Sequence, residues 1–446
     1  MPIAPVIVSA SASKVLGIYD HEIDLPVERG FTIVYGPNGV GKTKFLEIID
    51  GLSRMDVRAL LQLPFDEAVL RYSDGHELVA RIVEDEPQTG DESTLARGVE
   101  FVLQGGKYDV APWLSRGNPL ETWLIQSSPW RPLANSDFWE DRRDGEVVPF
   151  SELASMYEDQ AVGQDDAPEA YSAHVLAAPS FLIETQRLRI NREPSRRRTV
   201  YRGVVRPRPA SRIGEQSEVM RRLVNEAQTE HSKITQQLDR TFPNRVLERS
   251  GDEAESDEHV RDRYNDQNAF RSRLGRVASV ALEDALSLPD RELSPFELNL
   301  LHLYLDDAER KLAPFEKLLQ KIELLEDVVN SRLLNKHVQV TAGEGLNVRH
   351  DDDDRPIDLD SLSSGEQHEI ILMFDLLFNV PEGALVLIDE PEISLHVVWQ
   401  LAFIPDVERI ADLAGFRFVV ATHSPQIIND AWDSAVRLGP PEARWV

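Results

Sequence analysis

Gly36-Pro37-Asn38-Gly39-Val40-Gly41-Lys42-Thr43 is the stretch that decides the fold. It fits G-x-x-x-x-G-K-[ST] at every specified position, the pattern of a loop that cradles phosphates. Its glycines let successive backbone N–H groups converge on one anion, and a helix starting at the lysine adds a favourable dipole. The flanks agree: Phe31–Tyr35 is a short apolar run of strand character, and Lys44–Ile49 begins a helix after the turn. In such a loop Lys42 reaches the β- and γ-phosphates of ATP and the Thr43 hydroxyl holds Mg2+.

A partner for this loop lies far downstream. Ala384-Leu385-Val386-Leu387-Ile388 runs straight into Asp389-Glu390, a buried strand delivering two carboxylates at its end. Asp389 is expected to hold Mg2+ through water, which that ion sheds reluctantly. Glu390 then orients or deprotonates the attacking water. Just upstream, Leu362-Ser363-Ser364-Gly365-Glu366-Gln367-His368 precedes Ile370, Phe374, Leu377 and Phe378 at helical spacing. Ser363 or Ser364 is the N-cap, with Glu366 or Gln367 completing a capping box. A serine-glycine helix start also offers hydroxyl and N–H donors to an incoming phosphate.

Other segments read less sharply. Val6–Ser9 is a short strand, and Glu67–Tyr72 with Glu77–Ile82 makes a hairpin around Asp74-Gly75. Four tryptophans (Trp113, Trp123, Trp130, Trp139) fall in a Pro-, Gly- and Asp-rich stretch at 87–170. They read as a small satellite core, with a partner-docking surface as the alternative. Residues 174–183 are again strand-like. Blocks 216–241 and 262–334 are helical by pattern, separated by an acidic break at Ser250–Glu258. Strands return at Val338–Thr341 and Leu346–Val348, and Asp351–Asp354 is a solvated loop.

Composition narrows the classes. The 446 residues carry no cysteine and a net charge of −29, which excludes a disulfide scaffold and thiolate zinc, and suits the cytoplasm. No run approaches the roughly 18 apolar residues of a membrane span. Such acidity argues against a protein that coats nucleic acid with its whole surface. Arg187–Arg212 nevertheless holds ten arginines and one acid, Glu193. That strip is either a phosphate-tracking or acidic-partner patch, or a solvated, self-neutralising segment.

Taken in order, these elements resemble ABC-type ATPases. Leu362–Gln367 is similar to their signature motif, Gln186 to the Q-loop glutamine that contacts Mg2+ and the attacking water. Ser394-Leu395-His396 resembles the D-loop, and Thr422-His423-Ser424-Pro425 the switch-histidine segment. The wide separation of Lys42 from Asp389 resembles the RecF, SMC and OLD branch, where an insertion splits the head. Ile388–His396 and Ala421–Ile428 are worded most like OLD-like ATPases of anti-phage systems such as Septu and PARIS. The resemblance implies an α/β head, a mixed sheet with flanking helices and an antiparallel β subdomain, split by a mainly helical insertion. Residues 1–190 and 336–446 would form the head, without a Toprim nuclease, and 191–335 a short coiled-coil arm.

The same resemblance implies how it works. ATP and Mg2+ sit on Gly36–Thr43 of one head and are closed by Ser363–Glu366 of a second copy, in a homodimer or larger assembly. Glu390 is the base and His423 senses the γ-phosphate. A separately encoded effector, a toxin or nuclease, is the expected partner, with sensing of phage infection as the role and no membrane contact. The alternatives are a RecF-like repair ATPase that clamps DNA through Arg187–Arg212, and a nucleotide-gated scaffold with little turnover.

Overall fold

A computed structural model describes residues 5–84, 97–105, 110–115, 119–133, 138–143, 145–157, 167–171, 177–184, 212–248, 256–278, 287–393 and 395–440. The chain forms two compact units. One comprises Met1–Thr185, Val380–Ile393 and Gly415–Val446, the other Gln186–Asn379 and Ser394–Ala414. These divisions do not coincide with the sequence-based boundaries at 190 and 335.

In the first unit, five strands form a parallel sheet in the order β11, β15, β16, β3, β17. They are Ser180–Glu184, Leu385–Asp389, Arg417–Thr422, Phe31–Tyr35 and Ala435–Arg437. Every residue of β15 is buried, which is why its sequence is an unbroken apolar run rather than an alternating one. A second, antiparallel sheet has the order β2, β1, β4, β5, β6, β7. Its strands are Tyr19–Asp24, Ile7–Val15, Glu67–Tyr72, Glu77–Glu84, Arg97–Gln104 and Trp113–Ser115. The expected hairpin at 67–82 is present, whereas β2 has no counterpart in the sequence reading. Only His21 and Ile23 of β2 are buried, so its inward face has one apolar residue to show.

Helix α1 (Lys42–Ser53) lies between the two sheets. Phe45, Leu46, Ile49 and Leu52 share a core with Val34, Leu387 and Val419 on one side and Ala12, Leu70 and Ala80 on the other. Each large side chain so buried stabilises the unit by roughly 1.5–3 kcal/mol. A short helix α2 (Val57–Leu61) follows, capped by Asp56. Farther along, β8 (Trp130–Pro132), β9 (Phe138–Asp141) and β10 (Val147–Pro149) form a small sheet. It has its own core with residues of α3 (Pro119–Ser127) and α4 (Phe150–Met156). Trp130 and Trp139 are in that core and Trp123 packs at its side, but Trp113 stacks on Phe101 in the larger core. The tryptophans thus divide between two cores.

The second unit is built on α5 (Arg212–Glu248), α6 (Asp257–Ala278) and α7 (Pro295–Asn330), with α7 packed against both others. The helical block expected at 262–334 is therefore two helices. Ser294 starts the second with a capping box to Glu297 and a proline in the first turn. The stripe Leu312, Phe315, Leu319, Ile322, Leu325 and Val329 is buried along α7. Strands β12 (Lys336–Thr341), β13 (Gly345–His350) and β14 (Pro356–Ile357) form a small antiparallel sheet. Helix α8 (Ser364–Phe374) runs into a π-helical turn, Asp375–Asn379, and α9 spans Val397–Ala414. The turn is held from α5 and α7: Gln216 donates to Asp375 and Lys321 to the Leu377 carbonyl.

Buried Arg332, just past α7, pairs with Glu369 of α8 and Asp406 of α9. Burial pushes the Glu369 carboxyl up, opposed by this guanidinium. Arg332→Leu leaves buried Glu369 without its cation and Asp406 with only Arg409, at 3.7 Å, and an equilibrium urea titration is expected to show a loss of about 3–5 kcal/mol. Replacing all three residues by leucine should recover most of it.

Candidate active site

The chemistry gathers at the C-terminal ends of the parallel strands, where ligands bind in open α/β sheets. Strand β3 ends at Tyr35, whose carbonyl accepts from Leu438 N at 2.8 Å. A Cβ at Gly36 would lie 2.4 Å from the Leu438 carbonyl oxygen, so glycine lets the loop leave the sheet this close to β17. Gly41 closes the loop at φ +89°, where glycine alone is unstrained, and α1 begins at Lys42.

Lys42 is buried, and its Nζ donates to the Gly36 and Pro37 carbonyls at 3.1 and 3.4 Å. It also meets His423 Nε2 at 2.5 Å. That nitrogen faces Glu390 Oε1 at 3.3 Å as well, so it either accepts from the ammonium or donates to the carboxylate. Burial lowers the Lys42 pKa, against the pull of Glu390, Asp389 and Glu392. Glu390 sits at φ +47°, held by its N–H to the Ala421 carbonyl at 2.8 Å. His423 N–H donates to Glu392 Oε1 at 2.6 Å.

Thr43 Oγ1 donates to both Asp389 oxygens, at 3.1 and 3.0 Å. The Asp389 carboxyl is pushed up to about 7 by burial, with Glu390, Glu184 and Glu47 adding to the rise and the Thr43 bond opposing it. Register explains why Glu184 acts on this carboxyl, since it stands opposite Asp389 at the end of β11. A buried carboxylate beside a hydroxyl and ringed by acids is a donor set that a hard divalent cation relieves, so Thr43 and Asp389 fit Mg2+.

The raised value has a consequence for stability. The folded state takes up a proton between the ordinary 3.8 and about 7, so this carboxyl destabilises the fold increasingly as pH rises across that window. With a chelator present, the stability advantage of Asp389→Asn over wild type should grow from pH 4 to 7, by at most about 1.4 kcal/mol per pH unit, then level off. Thermal unfolding across that range measures it, and a pH-independent difference would refute it.

Of the expected residues, Gly36–Thr43, Asp389, Glu390 and His423 come together in the first unit. Ser363–Glu366 belong to the second. There Ser363 is the N-cap of α8 and forms the box with Glu366, which leaves Ser364 and Gln367 as ordinary helix residues. Ser363 and Ser364 are exposed, and Lys336 holds Glu366 at 3.0 Å. Gln186, the arginine strip up to Ser211, and Ser394 lie outside the described residues. Glu184 and Glu392 were given no role in the sequence reading, although Glu184 ends an apolar run as Asp389 does.

In this strand order the loop follows β3 and the two acids stand at the C-terminal end of β15, in a mixed α/β fold whose first unit is interrupted in sequence by the mainly helical second. Residues 220–429 match the family described as "AAA domain, putative AbiEii toxin, Type IV TA system". The match spans α8, Asp389, Glu390 and His423 and leaves out the phosphate-binding loop. No curated protein matches the chain. Two solved structures are similar at low levels. One is the Smc head domain with an extended coiled coil bound to the C-terminal domain of ScpA, from Pyrococcus furiosus. It has 13% identity, covers 95% of this chain and 91% of its own, and has a TM-score of 0.36. The other is the SMC head domain from Thermotoga maritima, with 11% identity, coverage of 98% and 100%, and a TM-score of 0.31. Among the described residues no helix is long and apolar enough to cross a membrane.

Proposed function

We propose that the protein binds ATP on Gly36–Thr43 and hydrolyses it. The observation that carries this is the convergence of Lys42, Thr43, Asp389, Glu390 and His423 at the ends of adjacent parallel strands. Mg2+, held by Thr43 and Asp389, would neutralise phosphate charge. Lys42 binds the β- and γ-phosphates, and the loop N–H groups orient them. Glu390 takes the proton of a water that attacks the γ-phosphorus as the bond to ADP breaks. His423, within reach of both Lys42 and Glu390, registers the γ-phosphate.

The exposed serines at the start of α8 support the second part of this reading, closure of the nucleotide by Ser363–Glu366 of another copy. Head closure would then control a separately encoded effector in a bacterial defence system, in keeping with the toxin-related family description. Multiple-turnover phosphate release from purified protein tests the ATPase. Phage plating on cells carrying the gene and its neighbours, with and without an active ATPase, tests the defence role. Absence of any ATPase-dependent change in plating would remove it.

A further inference from the structure

We infer that His21 is a positioning residue that fixes the orientation of the Val40–Gly41 peptide in the phosphate-binding loop. The inference rests on the ATP reading above. His21 lies on β2, is 3% exposed, and places Nε2 2.7 Å from the Val40 carbonyl oxygen. A carbonyl only accepts, so Nε2 carries the hydrogen. Nδ1 has no hydrogen-bond partner among the described residues, and nothing there competes for the other tautomer. Tyr19 stacks on the ring at 5.9 Å and Phe45 of α1 meets it edge-on at 5.4 Å, which fixes the ring plane.

The loop needs such a restraint because of its own composition. In a trans peptide the C=O and the following N–H point in opposite directions. With the Val40 carbonyl turned to His21, the Gly41 N–H is turned away from β2. Glycine at 41 makes the opposite orientation sterically cheap, since it tolerates either sign of φ. That flip would exchange an N–H for a carbonyl oxygen on the side where an anion is to be held. The buried histidine removes this freedom, because a flipped peptide would leave its Nε2–H unsatisfied.

The test measures ATP affinity by calorimetry, with steady-state kinetics and melting temperature, in wild type, His21→Phe and His21→Gln. Phenylalanine keeps the ring contacts and lacks the donor, whereas glutamine keeps a donor at similar reach. His21→Phe should weaken ATP binding and raise KM about tenfold with kcat changed less than about twofold, and His21→Gln should stay within about threefold of wild type. Unchanged KM in His21→Phe would overturn the inference, as would equal losses in both variants. Wild type that binds no ATP would instead refute the functional reading itself. Should His21→Phe not fold, 15N shifts of the wild-type imidazole decide: Nε2–H supports the assignment and Nδ1–H overturns it.

Discussion

Lys42→Ala is expected to lower ATP affinity by at least about 100-fold, since each charge-assisted bond to phosphate contributes about 1.5–3 kcal/mol and the ammonium makes more than one. The effect should be large because the group is already in place. Lys42 is buried, steered by the Gly36 and Pro37 carbonyls, and its charge is favoured by three nearby carboxylates. Removing it leaves those acids closer to mutual repulsion, so cation-free protein should also melt somewhat lower. Calorimetry with ATP and Mg2+, alongside the nucleotide-induced melting shift, separates the two effects. A wild-type shift in the alanine variant would place ATP elsewhere on the molecule.

Glu390→Gln should behave in the opposite manner: ATP is retained but turnover falls by about 10²–10⁴-fold, the usual contribution of a positioned general base. Glutamine preserves shape and the left-handed backbone at φ +47°, which the Ala421 hydrogen bond imposes whatever the side chain. Proton acceptance, the carboxylate partner of His423 and one of the charges that favour the Lys42 ammonium are lost. With hydrolysis blocked, ATP should hold copies together, and light scattering with ATP and Mg2+ should show a dimer absent without nucleotide. Undiminished hydrolysis would take the role of base away from Glu390.

What could be read from the sequence follows from how local each signal is. Phe31–Tyr35 and Ala384–Asp389 announce themselves because a strand buried on both faces must be apolar throughout, and the loop because its glycines are set by phosphate geometry. Ser294 and Glu297 also form a local start signal, inside the block 262–334 that the sequence pattern gives only as helical. Strand β2 and His21 were hidden for a different reason. Their inward face is half polar, and His21 acquires meaning only through a carbonyl 19 positions away. Arg332 is similar: its partners are on two other helices, and no spacing rule connects them. Glu184 joins the site through strand register alone.

The pairing of β3 with β16 also sets a schedule for the living cell. These neighbours in one sheet are separated by about 380 residues of chain. At roughly 5–20 residues per second, a ribosome needs on the order of half a minute to supply the missing edge. During that time Phe-Thr-Ile-Val-Tyr is a nascent strand without its native neighbours, the kind of segment that mispairs or recruits chaperones. Slower translation, or depletion of chaperones that shield nascent strands, should therefore reduce the soluble yield of this protein more than that of proteins whose strands pair with near neighbours.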